Sequence, residues 1–187
     1  MVCELMILAT LAVQAPAAVA PPSSAPGQAA MPAIGHAPSP EILTAIDVDV
    51  LPDGRGLPPG SGTAEQGKPI YTARCASCHG ASGREGPFDA LAGGQGTLAT
   101  ARPVKTVGSY WPYATTLWDY INRAMPFQQP HSLTISEVYA VTAYVLSLSG
   151  IVGDGDVLSQ ATLPQVKMPN RDGFIPDDRE HERFPRR

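Results

Sequence analysis

The sequence predicts an all-α domain over residues 61–150, in which three main helices share one small core and extended arms lie on both sides. Two observations carry this prediction. Three stretches within this range have helix caps or apolar residues at helical spacing, and the first runs into a Cys-x-x-Cys-His motif. No internal repeat and no βαβ pattern is present. A chain of 187 residues favours a single domain.

The first helix is predicted over residues 65–76. Thr63 can cap its N-terminus, although Gly67 and Pro69 make the helix irregular. Gly67 and Tyr71 lie four residues apart, so they share one face of the helix. The small residue at this point lets another helix approach closely, with Tyr71 packing beside it.

The second helix is predicted over residues 115–124, and the third begins after Thr134. The second has a predicted inner face of Leu117, Tyr120, Ile121 and Ala124. The third starts with a capping box, because Thr134 is followed three residues later by Glu137. Its apolar residues recur at helical spacing at Val138, Val141, Val145 and Leu148. Gly150 is suited to follow its C-terminus.

Both flanks of this domain are predicted to be extended. Residues 1–20 have a short apolar stretch followed by small residues, which is typical of a secretory signal, with an uncleaved membrane anchor as the alternative. Residues 21–60 form a Pro- and Ala-rich spacer that includes the strand-like run AIDVDV at residues 45–50. Residues 151–187 form a C-terminal arm, whose apolar residues could pack on a partner or on the domain itself.

The motif CASCH at residues 75–79 raises three possible chemistries. A structural zinc site needs four ligands, but the only further cysteine is Cys3, and the histidines have no ligand-pair spacing. A thioredoxin-like dithiol needs a preceding strand and a βαβ pattern, which the sequence lacks. Haem attachment needs this motif alone: Cys75 and Cys78 become thioethers, and His79 is the proximal ligand of the iron. The motif therefore predicts one covalently bound haem c.

A methionine usually completes the coordination of an electron-transfer haem. Met125 follows the second helix in NRAMPF, where Pro126 ends the helix and leaves the thioether on a constrained loop. Met168 has the same Met-Pro pair but lies beyond the third helix, and Met31 lies in the spacer. His131 would give a bis-histidine site instead. With Met125 as ligand, the order of motif, methionine and last helix resembles that of class I c-type cytochromes, whose small fold surrounds one haem with three main helices.

Two further residues are predicted to support the haem. The carbonyl oxygen of Pro87, after the glycine-rich loop GASGREG, could accept a hydrogen bond from Nδ1–H of His79 and so fix the ring. Trp111 lies before the second helix, where haem propionates often find donors; alternatively, its ring packs under the haem edge. Further donors in this segment are Lys105, Ser109 and Tyr113.

The run VKTVGSYWPYATTLWDYINRAMPF, residues 104–127, resembles the cytochrome subunit of Sox-type sulfite or sulfur dehydrogenases. The segments LPDGRGLPPGSGTAEQGKPIY and LPQVKMPNRDGF are similar to the same group, so the resemblance covers about residues 41–176. It implies that a molybdenum-cofactor subunit donates electrons to this haem, and that another cytochrome c or an oxidase accepts them. Some members of the group carry two haems, whereas the single CxxCH motif here implies one.

The predicted function is therefore that of a periplasmic monohaem electron carrier rather than of an enzyme. The periplasm is expected because haem c is attached outside the cytoplasm and the N-terminus resembles an export signal. A net charge of −4 argues against a nucleic-acid partner. One alternative is a different electron donor, such as an alcohol-oxidising dehydrogenase. Another is a haem-based catalyst or sensor with a labile sixth ligand, for which only His131 offers a distal acid–base group.

Overall fold

Within residues 35–175, which the computed structural model describes, α-helices supply all the long elements. In chain order the elements are α1 (Pro40–Ile46), β1 (Ser61–Gly62), α2 (Ala64–Arg74), α3 (Ala76–His79), α4 (Ala114–Ala124), α5 (Ile135–Ser147), β2 (Leu158–Ser159) and a 3₁₀ turn (Leu163–Gln165). The predicted all-α class is confirmed, and α2, α4 and α5 are the three main helices. The signal-like segment 1–20 lies outside the described residues.

No helix among residues 35–175 combines the length and apolar character needed to cross a membrane.

Helices α2 and α5 cross at Gly67, which is buried. A Cβ atom added there would overlap the carbonyl oxygen of Ala140 in α5, so only glycine allows this approach. One turn later Tyr71 packs against Tyr144, with 5.0 Å between the ring centroids. The predicted close approach of two helices at Gly67 and Tyr71 is confirmed. It anchors the C-terminal end of α2, and with it the cysteine motif, against the core.

Two capping boxes set the N-termini of the packed helices. The Thr63 hydroxyl accepts from the N–H of Gln66 (3.3 Å), and the Gln66 side chain accepts from the N–H of Thr63 (3.0 Å). Thr134 and Glu137 make the same reciprocal pair at the start of α5, at 3.4 and 2.7 Å. Each cap stabilises its helix by about 1 kcal/mol. Both predicted caps are confirmed.

Helix α4 packs its apolar face on α5, in which eight of thirteen residues are buried. The ring of Trp118 lies 5.3 Å from that of Tyr139, centroid to centroid. The prediction for Tyr120 was wrong, since its side chain is 47% exposed. It contacts the edge of Trp111 instead, because the larger Trp118 ring takes the inward position. The other buried apolar residues of the two helices include Leu117, Ile121, Val138, Val141 and Val145.

The strand-like run at residues 45–50 is not a strand. Its first two residues end α1, and residues 47–50 have no regular structure. A strand needs a neighbouring strand for its backbone groups and a surface for its side chains. Only Val50 of this run is buried, while Asp49 forms an ion pair of 3.2 Å with Arg123 of α4.

The C-terminal segment after α5 packs on the domain itself. Strand β2 pairs with β1 in antiparallel register, with Gly62 opposite Leu158. Leu158, Leu163 and Met168 are at most 3% exposed and belong to the same hydrophobic core as the helices. The C-terminal arm was predicted to pack either on a partner or on the domain itself, and these three residues pack on the domain. Residues 176–187 lie outside the described part of the chain.

Candidate haem-attachment site

The short helix α3 carries the cysteine motif directly after α2. Cys75 joins the two helices: its N–H donates to the Tyr71 carbonyl (2.8 Å), and its own carbonyl accepts from the N–H groups of Cys78 (3.1 Å) and His79 (3.0 Å). Both cysteines are free thiols of intermediate exposure. Two thiols and an imidazole therefore lie within about one helical turn, as attachment to a single porphyrin requires.

The imidazole of His79 is oriented by a backbone carbonyl. Its Nδ1 atom lies 2.9 Å from the carbonyl oxygen of Asp89. A carbonyl can only accept, so Nδ1 is the donor in this bond, and Nε2 is the ring nitrogen that can bind a metal. The prediction of Pro87 as partner was wrong. The loop folds back so that the N–H of Phe88 donates to the Cys78 carbonyl (3.1 Å), and the carbonyl of Asp89, the residue after Phe88, lies at the ring.

The attachment segment, residues 75–92, is held mainly by its own backbone. The carbonyl of Gly83 accepts from the N–H groups of Leu91 (2.7 Å) and Ala92 (3.1 Å), and the N–H of Gly83 donates to Gly80 (3.2 Å). The buried hydroxyl of Tyr71 in α2 donates to the Gly80 carbonyl at 2.9 Å. Gly80, which follows His79, is thus hydrogen-bonded both to its own loop and to Tyr71 of the helical core.

The carboxylate of Glu85 closes the tip of this segment. It accepts from the hydroxyl (2.5 Å) and the N–H (3.0 Å) of Ser82, and from the N–H of Arg84 (3.1 Å). The bonds from Ser82 favour the ionised form and lower the pKa of Glu85 to about 2. These bonds close the loop beside the histidine on itself.

The chemistry of the donors distinguishes the three possible uses of the motif. Burial raises the pKa of the Cys75 thiol to about 11, whereas dithiol redox centres work through thiols of lowered pKa. Across residues 35–175, no group of three or more His, Cys, Asp or Glu side chains is arranged to hold a metal ion. Two thiols beside an imidazole whose Nε2 is available to a metal suit a haem c.

Met125 ends α4, and its N–H donates to the Ile121 carbonyl at 3.1 Å. Its side chain is half-buried and packs against the core, at the start of a mostly exposed loop. Met168 is 3% exposed and packed within the core, as expected of a methionine that fills space. His131 is exposed on the same loop as Met125, and Met31 lies outside the described residues.

Comparison with known proteins agrees with this geometry. Residues 64–149 match the family model of cytochrome c. The chain is also 45% identical to a chain in the crystal structure of the sulfane dehydrogenase SoxCD from Paracoccus pantotrophus, with a TM-score of 0.72. The match covers 83% of this chain and 77% of that chain. This chain belongs to the cytochrome c family. Membership implies a covalently bound haem c, for which Cys75 and Cys78 are present, and a role in electron transfer.

Trp111 of this cytochrome is half-buried and meets Tyr120 edge to face, with 5.8 Å between the ring centroids. It also packs against the hydrophobic core, and its contact with the haem remains a prediction. The Ser109 hydroxyl is already engaged, because it donates to the Val104 carbonyl at 2.7 Å. Lys105 and Tyr113 make cation–π contacts with Tyr110 and Arg171, respectively.

Two residues of the cytochrome site were not found from the sequence. Asp89 acts through its backbone carbonyl, and the pattern of side chains in the sequence does not indicate which carbonyl will face the ring. Arg74 immediately precedes the first cysteine, and its guanidinium contacts residues more than 50 positions away along the chain. The sequence shows an arginine directly before CxxCH, but only the tertiary structure shows which residues it contacts.

Proposed function

We propose that this cytochrome is a periplasmic monohaem electron carrier that accepts single electrons from a molybdenum-cofactor sulfite or sulfur dehydrogenase subunit. It then passes them to another cytochrome c or to an oxidase. The observation that carries the proposal is the 45% identity to a chain of the sulfane dehydrogenase SoxCD, which extends over most of both chains. Similarity outside residues 64–149 is included in that match, so it goes beyond the general cytochrome domain.

The residues of the site have distinct tasks in this proposal. Cys75 and Cys78 would hold the haem by thioether bonds, and Nε2 of His79 and the thioether of Met125 would bind its iron. When bound, the haem supplies a one-electron iron couple. The bond from Nδ1–H of His79 to the Asp89 carbonyl keeps the ring oriented through oxidation and reduction. Two protein ligands on the iron would leave no open position for a small molecule, so this ligand set would favour electron transfer over binding of a small molecule to the iron.

The periplasmic location rests on two supports. Haem c is attached outside the cytoplasm, and residues 1–20 have the composition of an export signal. N-terminal sequencing of the protein from a periplasmic extract is expected to show that the apolar stretch has been removed. Recovery of the haem-loaded protein with an intact N-terminus from the membrane fraction would support an uncleaved anchor instead.

Purification of the native complex tests the proposed donor. The cytochrome, isolated from its own cells under mild conditions, is expected to carry with it a subunit that contains molybdenum, in an amount comparable with the haem iron. Addition of sulfite or a sulfane-sulfur compound to this complex should reduce the haem, as seen by its absorption spectrum. The cytochrome freed of its partner is the control and should stay oxidised. Reduction by an alcohol alone, with no molybdenum present, would identify a different donor and reject the proposal.

A further inference from the structure

Arg74 links the attachment segment to the loop that follows Met125. It is the last residue of α2 and immediately precedes Cys75. Its Nη2 atom donates to Oε1 of Gln129 at 2.9 Å and to Oγ of Ser132 at 2.6 Å. These partners lie 55 and 58 residues further along the chain. One guanidinium thus connects the two segments that must hold a haem from opposite sides.

The methionine loop, residues 126–133, has few other restraints. Its ends are set by the C-terminus of α4 and by the capping box at Thr134. Between them lie one turn, in which the N–H of Gln129 donates to the Pro126 carbonyl at 2.8 Å, and the buried side chain of Leu133. Among the residues that the structure describes, Arg74 alone donates side-chain hydrogen bonds to this loop.

We propose that Arg74 is a positioning residue for the sixth ligand: it holds the methionine loop closed and so keeps the Met125 thioether at the iron. This inference rests on the proposed His79–Met125 ligation. The two cysteines would bind the haem covalently, so the haem could not dissociate from the attachment segment. On the opposite side, the Met125 thioether would be held by its bond to the iron, by packing of its side chain on the core and by the methionine loop that directly follows it. The frequency with which the loop opens therefore limits how often the ligand is exchanged.

The hydrogen bonds of Arg74 are exposed, so their effect differs between global unfolding and local opening of the methionine loop. Exposed bonds at a loop contribute little to global unfolding, because the core holds without them. They contribute in full to local opening, in which the loop alone leaves its position. An arginine suits the task, because its Nη2 atom carries two N–H groups, one for each acceptor, at the end of a rigid planar guanidinium. A lysine instead presents a point charge on a flexible stem. The expected signature is thus a change in ligand exchange without a matching change in global stability.

The experiment uses the haem-loaded, oxidised protein and imidazole as a competing ligand. Displacement of the methionine is followed by loss of the near-infrared Met–Fe(III) band in a stopped-flow instrument, at saturating imidazole. In Arg74→Gln the displacement rate should rise about tenfold, which corresponds to the loss of two hydrogen bonds at the lower end of the usual net strength, as expected of exposed bonds. Gln129→Ala and Ser132→Ala should each give a smaller rise. In combination with Arg74→Gln, either change should raise the displacement rate by a smaller factor than it does alone, because both partners are bound by the same guanidinium.

Two further variants separate position from charge. Arg74→Lys keeps the positive charge beside Cys75, so it should leave the reduction potential close to that of the unmodified protein while still accelerating displacement. Arg102→Gln is the matched control for lost charge. Arg102 is exposed, and its guanidinium makes no hydrogen bond or ion pair within residues 35–175. This variant should exchange its ligand at the unmodified rate.

The outcomes are distinguishable from those that bear on the proposed ligation. If the unmodified protein lacks the Met–Fe(III) band, or keeps it in Met125→Ala, the ligand assignment is wrong and the role of Arg74 falls with it. If the band is present but Arg74→Gln exchanges at the unmodified rate, only the role of Arg74 is rejected. Should Arg74→Gln not fold, the Gln129→Ala, Ser132→Ala double variant tests the same bonds without touching the attachment side. An unmodified rate in that variant also rejects the role.

Discussion

The attachment segment and the methionine loop would hold the same iron from opposite sides, but they are built differently. The first is tied by hydrogen bonds between its own backbone groups, including those at Gly83 and at Cys78, and by the contact from His79 to Asp89. The second has one internal turn and depends on Arg74, more than 50 residues earlier in the chain. In the proposed ligation, local structure would place the fifth ligand, His79, and tertiary contacts would place the sixth, Met125.

The largest expected effect is complete loss of covalent haem attachment. A Cys75→Ala, Cys78→Ala double variant should lose all its haem on extraction with acid and acetone, because no thioether remains. Met125→Ala serves as the comparison and should keep its haem under the same treatment. Covalently bound haem in the double variant would show that attachment uses other residues.

The next effect tests the methionine side. Met125→His should lower the reduction potential by on the order of 0.2 V, within the roughly 0.8 V range that axial ligands span. A redox titration of the haem-loaded protein measures this change. Met168→Leu, which keeps the core filled, should leave both the potential and the Met–Fe(III) band unchanged. The opposite result, with the band lost in Met168→Leu and kept in Met125→Ala, would move the sixth ligand to the C-terminal segment.

A third variant tests how tightly the attachment segment is closed. A Cβ at Gly86 would overlap the carbonyl oxygen of Cys78, a backbone atom with little freedom to move. Gly86→Ala should therefore lower the free energy of unfolding by roughly 1–3 kcal/mol, measured by urea denaturation of the haem-loaded protein. Gly155→Ala is the matched control, because a Cβ there meets nothing within 4 Å. Equal stability of the two variants would mean that the segment is looser than its hydrogen bonds indicate.

The smallest effect concerns the acid stability of the same segment. The pKa of Glu85 is lowered from 4.5 to about 2, so its stabilisation is present above pH 4.5 and is lost as the pH falls towards 2. Ser82→Ala removes the shortest bond to this carboxylate and should make the loss of stability between these pH values shallower. Thermal melting at several pH values measures the slope, and Glu85→Gln should remove this contribution. A slope in Ser82→Ala equal to that of the unmodified protein would contradict the assignment.

Much of the fold was predictable because its determinants are close in the chain. The caps at Thr63 and Thr134 use partners three residues away, and the CASCH motif places its thiols and imidazole within one short helix. The role of Gly67 was also visible, since a small residue one turn from a tyrosine predicts a helix crossing without naming the partner helix. The run at residues 45–50 was predicted wrongly, because strand propensity has no effect without a neighbouring strand.

The sequence by itself determined the all-α class, the three main helices and the residues offered to a haem, since caps, helical spacing and CxxCH act within a few positions. Only the tertiary structure decided which carbonyl orients His79, how the segment around Met168 completes the core, and which residues Arg74 contacts. These contacts join positions that are distant along the chain or lie on irregular loops. Their geometry is settled by how the helices pack and how the loop closes, and neither leaves a periodic pattern in the sequence.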